Sequence, residues 1–221
     1  GAWDSASKRF VFPGISEGSP ILEIVDADSG KKLREIKLKE LDEVLNPAWS
    51  PDGNQIAFSG LVGGYNDLFV YNLSTNALER LTSDAYSELD PAWSPDGRQL
   101  AFSTDRFSTK LPQLAAGHMK LAIMDVASKA VHEAGGFDDA KNIDPQWSRD
   151  GRSLYFLSDR QGITNVYRLD VASRDLFQLT DLISGVSGIT ALSPALSVAV
   201  DTGRIAYSVY DEDRYEIYSI D

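Results

Sequence analysis

The sequence predicts an all-β fold, a β-propeller built of four-stranded antiparallel blades. Three observations carry that expectation. Trp3, Trp49, Trp93 and Trp147 recur at intervals of roughly 45–55 residues, the length of one propeller blade. Each recurrence opens the same succession of short apolar runs and turn residues. Helical periodicity is scarce along the whole chain.

The repeat is clearest in three copies. Asn46-Pro47-Ala48-Trp49-Ser50-Pro51-Asp52-Gly53 is followed by Ile56-Ala57-Phe58-Ser59, and Asp90-Pro91-Ala92-Trp93-Ser94-Pro95-Asp96-Gly97 by Leu100-Ala101-Phe102-Ser103. Asp144-Pro145-Gln146-Trp147-Ser148-Arg149-Asp150-Gly151 leads to Leu154-Tyr155-Phe156. Weaker copies flank them: Trp3 with Phe10-Val11-Phe12 before, and Pro194-Ala195-Leu196-Ser197 with Ile205-Ala206-Tyr207-Ser208 after.

Within a copy the elements follow in order. Strand a holds the Pro-x-Trp-Ser segment, whose tryptophan is expected to fill the space between blades. A Pro-Asp-Gly turn comes next: proline presets φ, the aspartate caps the turn, and glycine takes the positive φ. Strand b is apolar on both faces, as suits a sheet covered from both sides. Strand c reads Leu68-Phe69-Val70-Tyr71, Leu121-Ala122-Ile123-Met124 or Val166-Tyr167-Arg168-Leu169. Strand d, as in Leu78-Glu79-Arg80, is polar enough for an outer edge. Asp90 and Asp144 are expected to fix the start of strand a. Residues 108 to 118 read as a long loop, since Leu111-Pro112 interrupts a helix.

On these boundaries residues 1–221 form a single propeller domain or propeller fragment, with blades at about 1–40, 41–84, 85–135, 136–182 and 183–221. Four blades are whole and the fifth is partial, lacking strand d. A piece of a six- or seven-bladed ring is the favoured expectation; a five-bladed ring short of one outer strand is the alternative.

Composition narrows the function. With 43% hydrophobic and 24% charged residues, the 221-residue chain is globular rather than disordered. A net charge of −12 repels phosphate backbones and anionic headgroups, which argues against nucleic-acid and membrane-surface partners. No cysteine is present, so thiol chemistry and cysteine-held zinc are excluded. The sequence shows no apolar run of spanning length and no signal peptide; its opening Gly1 suggests a trimmed segment.

No catalytic constellation stands out. Gly14-Ile15-Ser16-Glu17-Gly18 matches a nucleophile elbow by letter, but a strand rather than a helix follows it. His118 and His132 have no partner motif and read as exposed loop and strand-edge residues. Asp42-Glu43, Asp138-Asp139 and Asp211-Glu212-Asp213 lack calcium-loop spacing and read as solvated acids. No metal, cofactor or catalytic residue is assigned.

Binding is expected at the channel mouth, where d–a and b–c loops meet. Arginines and aromatics anchor interfaces, which selects Tyr65, Tyr86, Arg106, Phe107, Phe137 and Arg160. Glu40, Asp42, Glu43, Glu88 and Asp138 would make this face electronegative and steer a basic protein or peptide to it. Asp105-Arg106 and Asp159-Arg160 leave two readings open, an inter-blade ion pair or presentation at the mouth.

The Asp-Pro-x-Trp-Ser-Pro-Asp-Gly string, the b strand ending in Phe-x-Ser and the Asp-Arg pair together resemble TolB-like propeller repeats of bacteria. The resemblance implies a non-catalytic, periplasmic protein- or peptide-binding scaffold of the bacterial envelope. Related propellers gate or dock in prolyl-oligopeptidase-type and tricorn-type proteases, so the propeller part of a larger serine peptidase is the alternative. An autonomous propeller enzyme on sugars or lactones ranks third.

Overall fold

The computed structural model describes residues 1–190 and 193–221. Its strands form five antiparallel sheets, each a meander in chain order. The first joins β1 (Ala2–Trp3), β2 (Arg9–Ser16), β3 (Ser19–Asp26) and β4 (Lys32–Lys37). The second joins β5 (Glu43–Trp49), β6 (Gln55–Val62), β7 (Tyr65–Asn72) and β8 (Leu78–Arg80). The third joins β9 (Glu88–Trp93), β10 (Gln99–Thr104), β11 (Lys120–Asp125) and β12 (Val131–Gly135). The fourth joins β13 (Asn142–Trp147), β14 (Ser153–Ser158), β15 (Asn165–Asp170) and β16 (Leu176–Gln178). The fifth has three strands, β17 (Leu196–Val198), β18 (Ile205–Asp211) and β19 (Arg214–Ile220). The array therefore counts five blades, four of four strands and a fifth of three, as the sequence leads one to expect of this chain; among the described residues there is no sixth or seventh blade.

Turn chemistry sets the register within each blade. Gly53, Gly97 and Gly151 end the a–b turns at φ of 68°, 71° and 68°, where an L side chain is strained. Asp52 Oδ1 accepts from Ser50 Oγ at 2.6 Å and from the Asn54 N–H at 3.0 Å. Asp96 and Asp150 repeat the cap with Ser94, Arg98, Ser148 and Arg152. The c–d turns are capped alike, Asp26, Asn72, Asp125 and Asp170 each accepting a backbone N–H three residues on.

The core lies in the seams between blades. On strand b the alternation is large-small-large. Leu100 and Phe102 pack on blade two beside Trp93, Leu68 and Val70, while Ala101 turns to blade four. Leu154 and Phe156 do the same against blade three. Each fully buried large side chain contributes about 1.5–3 kcal/mol, so no blade is stable without its neighbours. Trp49, Trp93 and Trp147 seal the seam to the preceding blade and are buried. Two of the indoles reach across: Trp49 Nε1 donates to the Ala2 carbonyl at 3.2 Å and Trp147 Nε1 to the Ala92 carbonyl at 3.1 Å, while Trp93 Nε1 has no hydrogen-bond partner among the described residues. Trp3 is 56% exposed and joins none of the core clusters among the described residues.

Asp90 and Asp144 correct the expectation that they serve their own strand. Both adopt left-handed backbone (φ 55° and 53°) at a bulge that shifts the register of strand a against strand b. That twist sends their carboxylates forward. Asp90 Oδ2 accepts from the Asp144 N–H of the next blade at 3.4 Å and from Ser103 Oγ at 3.2 Å. Asp144 Oδ2 accepts from the N–H groups of Ala195 and Leu196 of the blade after, both at 3.1 Å. The strand-a acids are thus straps between blades three, four and five. Burial pushes both carboxyls up, and at Asp144 the charge of Asp90 adds to it.

The 108–118 insertion is a loop with one 3-10 turn at Leu111–Gln113. Pro112 sits at its start, where the missing N–H is no loss. Gly14 and Ser16 lie on β2, and Glu17-Gly18 is the turn into β3, so the elbow-like string is a plain hairpin.

Candidate partner-binding face

The d–a linkers and b–c hairpins meet on one face in every blade from the second on, and hydrogen bonds donated by linker amides tie them. Asp42 N–H donates to the Leu61 carbonyl at 2.8 Å in blade two. In blade three Ser87 N–H donates to Asp105 Oδ1 at 2.8 Å, and in blade four Lys141 N–H donates to Asp159 Oδ1 at 2.9 Å. In blade five Ser187 N–H donates to the Ser208 carbonyl at 3.0 Å. The aspartate of each Asp-Arg pair is therefore a staple that holds the linker against the end of strand b.

The arginines of the two pairs stack on linker aromatics. Arg106 lies over the Tyr86 ring at 5.3 Å and Arg160 over Phe137 at 4.5 Å. Beyond that they differ. Arg106 Nη2 pairs with Asp84 of the linker between blades two and three at 2.5 Å and with Glu88 on the first strand of its own blade at 3.1 Å. Among the described residues neither Asp105 nor Arg106 forms an ion pair with a strand of another blade. Arg160 is exposed, and no carboxylate lies within ion-pair distance of it among the described residues.

The six sequence-selected residues thus divide. Tyr86 with Arg106 and Phe137 with Arg160 form sister platforms in consecutive blades. Tyr65 is 50% exposed at the start of β7, and Phe107 is exposed in the turn after β10; neither touches a platform ring. Exposed Glu40, Asp42, Glu43 and Asp138 keep the face acidic. Glu88 departs from expectation. It is fully buried, accepting from Thr82 Oγ1 at 2.9 Å and from Arg106, and burial pushes its carboxyl up to about 7.

Sequence reasoning missed the buried polar groups beneath the face. Arg80 pairs with buried Asp67 within blade two. Buried Lys120 donates to the Phe137 and Asp138 carbonyls at 2.9 and 2.7 Å. Asn142 accepts from the Phe137 N–H at 3.0 Å and fixes that linker. Glu88 and Asn142 stand two residues before Asp90 and Asp144, and the period-2 alternation of strand a could have placed them inward.

Comparison with known proteins agrees with this geometry. A family model described as the TolB beta propeller domain matches residues 22–221. A Tol-Pal system protein TolB of Francisella tularensis subsp. mediasiatica is 27% identical over 215 residues, 95% of this chain and 47% of that protein. The chain thus spans about half the length of the curated relatives it matches. The crystal structure of TolB from Acinetobacter baumannii superposes with a TM-score of 0.75 at 22% identity, covering 97% of this chain and 50% of that one. A puromycin hydrolase superposes at 0.68 and 16% identity, covering 96% of this chain and 34% of that one. At these identities the superpositions show the fold alone.

Proposed function

The chain belongs to the TolB beta-propeller family, and from that premise we propose that it is a non-catalytic protein- or peptide-binding scaffold of the bacterial envelope, working in the periplasm as a single propeller domain. The observation that carries the reading is the mouth face. There, two arginine–aromatic platforms stand on stapled linkers among exposed acids. Rigid blades beneath mobile-sequence loops are the usual build of a recognition surface. The acids favour a partner carrying basic groups, with faster association at low salt.

The test is capture from an envelope lysate by the wild-type chain and by two multiple variants. One replaces Tyr65, Phe107 and Arg160 with alanine; the other replaces Asn54, Arg98 and Arg152 on the opposite turns. The reading requires a partner lost only by the first variant. Retention by the first and loss by the second would remove the assignment. A second reading, the propeller part of a larger hydrolase, rests on the likeness to puromycin hydrolase. It requires a hydrolase domain flanking this segment in the parent reading frame.

A further inference from the structure

Beneath the blade-four platform lies a feature that partner binding in general does not account for. The Tyr167 side chain is buried (1% exposed), yet its hydroxyl has no hydrogen-bond partner among the described residues. An unpaired buried hydroxyl is costly, because it gives up its hydrogen bonds to water and gains none. The equivalent strand-c residue of blade two is Phe69, which fills the corresponding seam, between blades one and two, without that cost. The phenol therefore adds nothing to packing that a phenyl would not supply.

Tyr167 sits beside the uncompensated cation. The half-buried Phe137 ring meets Tyr167 edge-on at 4.9 Å and carries the Arg160 guanidinium on its face at 4.5 Å. Arg160 and Asp181 are the charges that act on the phenol, and burial holds it above the usual tyrosine range, so it remains an O–H donor at neutral pH. In blade three the matching guanidinium is already held by Asp84 and Glu88. In blade four the counterpart of Asp84 is Asp138, which faces Lys120 at 3.5 Å, and the counterpart of Glu88 is the neutral Asn142. The two carboxylates that satisfy the sister arginine are thus diverted or missing.

We propose that Arg160, Phe137 and Tyr167 form a carboxylate-binding subsite of the mouth, which takes one acidic side chain of an otherwise basic or neutral peptide. This deepens the reading given under Proposed function and rests on it. The guanidinium offers a two-pronged donor to the carboxylate. For the buried Tyr167 hydroxyl to serve as an additional donor, the Phe137 ring that covers it has to shift. The rest of the peptide meets the exposed acids of the face.

The probe is a pair of amidated peptides, Lys-Gly-Asp-Gly-Lys and Lys-Gly-Asn-Gly-Lys, titrated into the 15N-labelled full chain and followed by NMR at arginine side-chain and backbone signals. The aspartate peptide is expected to bind at least tenfold tighter and to shift the Arg160 Nε–H signal. Arg160→Ala abolishes that preference, and Arg160→Lys, which keeps the charge without the fork, retains part of it. Tyr167→Phe weakens the aspartate peptide several-fold while raising Tm, a split that a purely structural hydroxyl would not give. Equal binding of the two peptides overturns the subsite, as does a preference that survives Arg160→Ala. A Tyr167→Phe variant with lowered Tm and unchanged affinity does so too. If the aspartate preference is absent while the mouth variants still lose the captured partner, the subsite fails and the scaffold reading stands.

Discussion

Glu88 shows how a single residue at the mouth ties binding surface to stability. Its side chain is sealed between Thr82, Thr104 and Arg106, and burial lifts its carboxyl from about 4.5 to about 7. An acid with a raised folded pKa keeps its proton in the native state after the unfolded chain has lost it. Its contribution is fully present below the unfolded value, falls as pH climbs from about 4.5 to about 7, and is flat above. Glu88→Gln should therefore lessen the fall in stability across that window by about 3 kcal/mol, the part due to Glu88, while buried Asp90 and Asp144 keep theirs; urea titrations at pH 4.5 and 7.5 measure it. A decline of unchanged size would place the titration elsewhere. The tryptophans give a second contrast. Trp147 is locked in a seam and bonded to Ala92, while Trp3 is exposed and joins no core cluster among the described residues. Trp147→Ala should cost about 3–5 kcal/mol by denaturant unfolding, and Trp3→Ala less than about 1 kcal/mol.

The elements of a blade were largely legible before any coordinates, and the reason is local. Pro51-Asp52-Gly53 and its copies encode a turn whose cap, φ and register follow from residue chemistry alone, and the structure builds them so. The large-small-large strand b likewise announces two covered faces. What escaped was non-local. The direction of the Asp90 and Asp144 carboxylates depends on a bulge that throws them into the next blade. The burial of Glu88 and Lys120 depends on two blades meeting. The Asp-Arg pairs fall between: their position after strand b was visible, but not the role of the aspartate in holding the linker. That role predicts that Asp105→Ala frees the Ser87 amide, raising its hydrogen-exchange rate at least roughly tenfold through loss of a charge-assisted bond. The Lys141 amide, stapled by Asp159 in the next blade, should exchange as before.

At the scale of the molecule, four core clusters join successive blades, and none joins the fifth with the first among the described residues. Ile217, in the position of Leu68 and Val166, is accordingly 80% exposed, whereas those two are buried. Stability should then be graded along the array, with amides of β7 and β15 exchanging only on global opening and those of β19 by local fraying. Uniform protection of all three strands would count against that gradient. The proposed function draws on the same division: seams supply rigidity, while Tyr65, Phe107 and Arg160 stay exposed on the loops. Hydrogen exchange of the full chain with and without its captured partner tests this most directly. Added protection confined to the d–a linkers and b–c hairpins, strongest around residues 83–90, 105–110, 136–142 and 159–164, is the predicted result. Protection centred instead on the Pro-Asp-Gly turns of the opposite face would contradict the account.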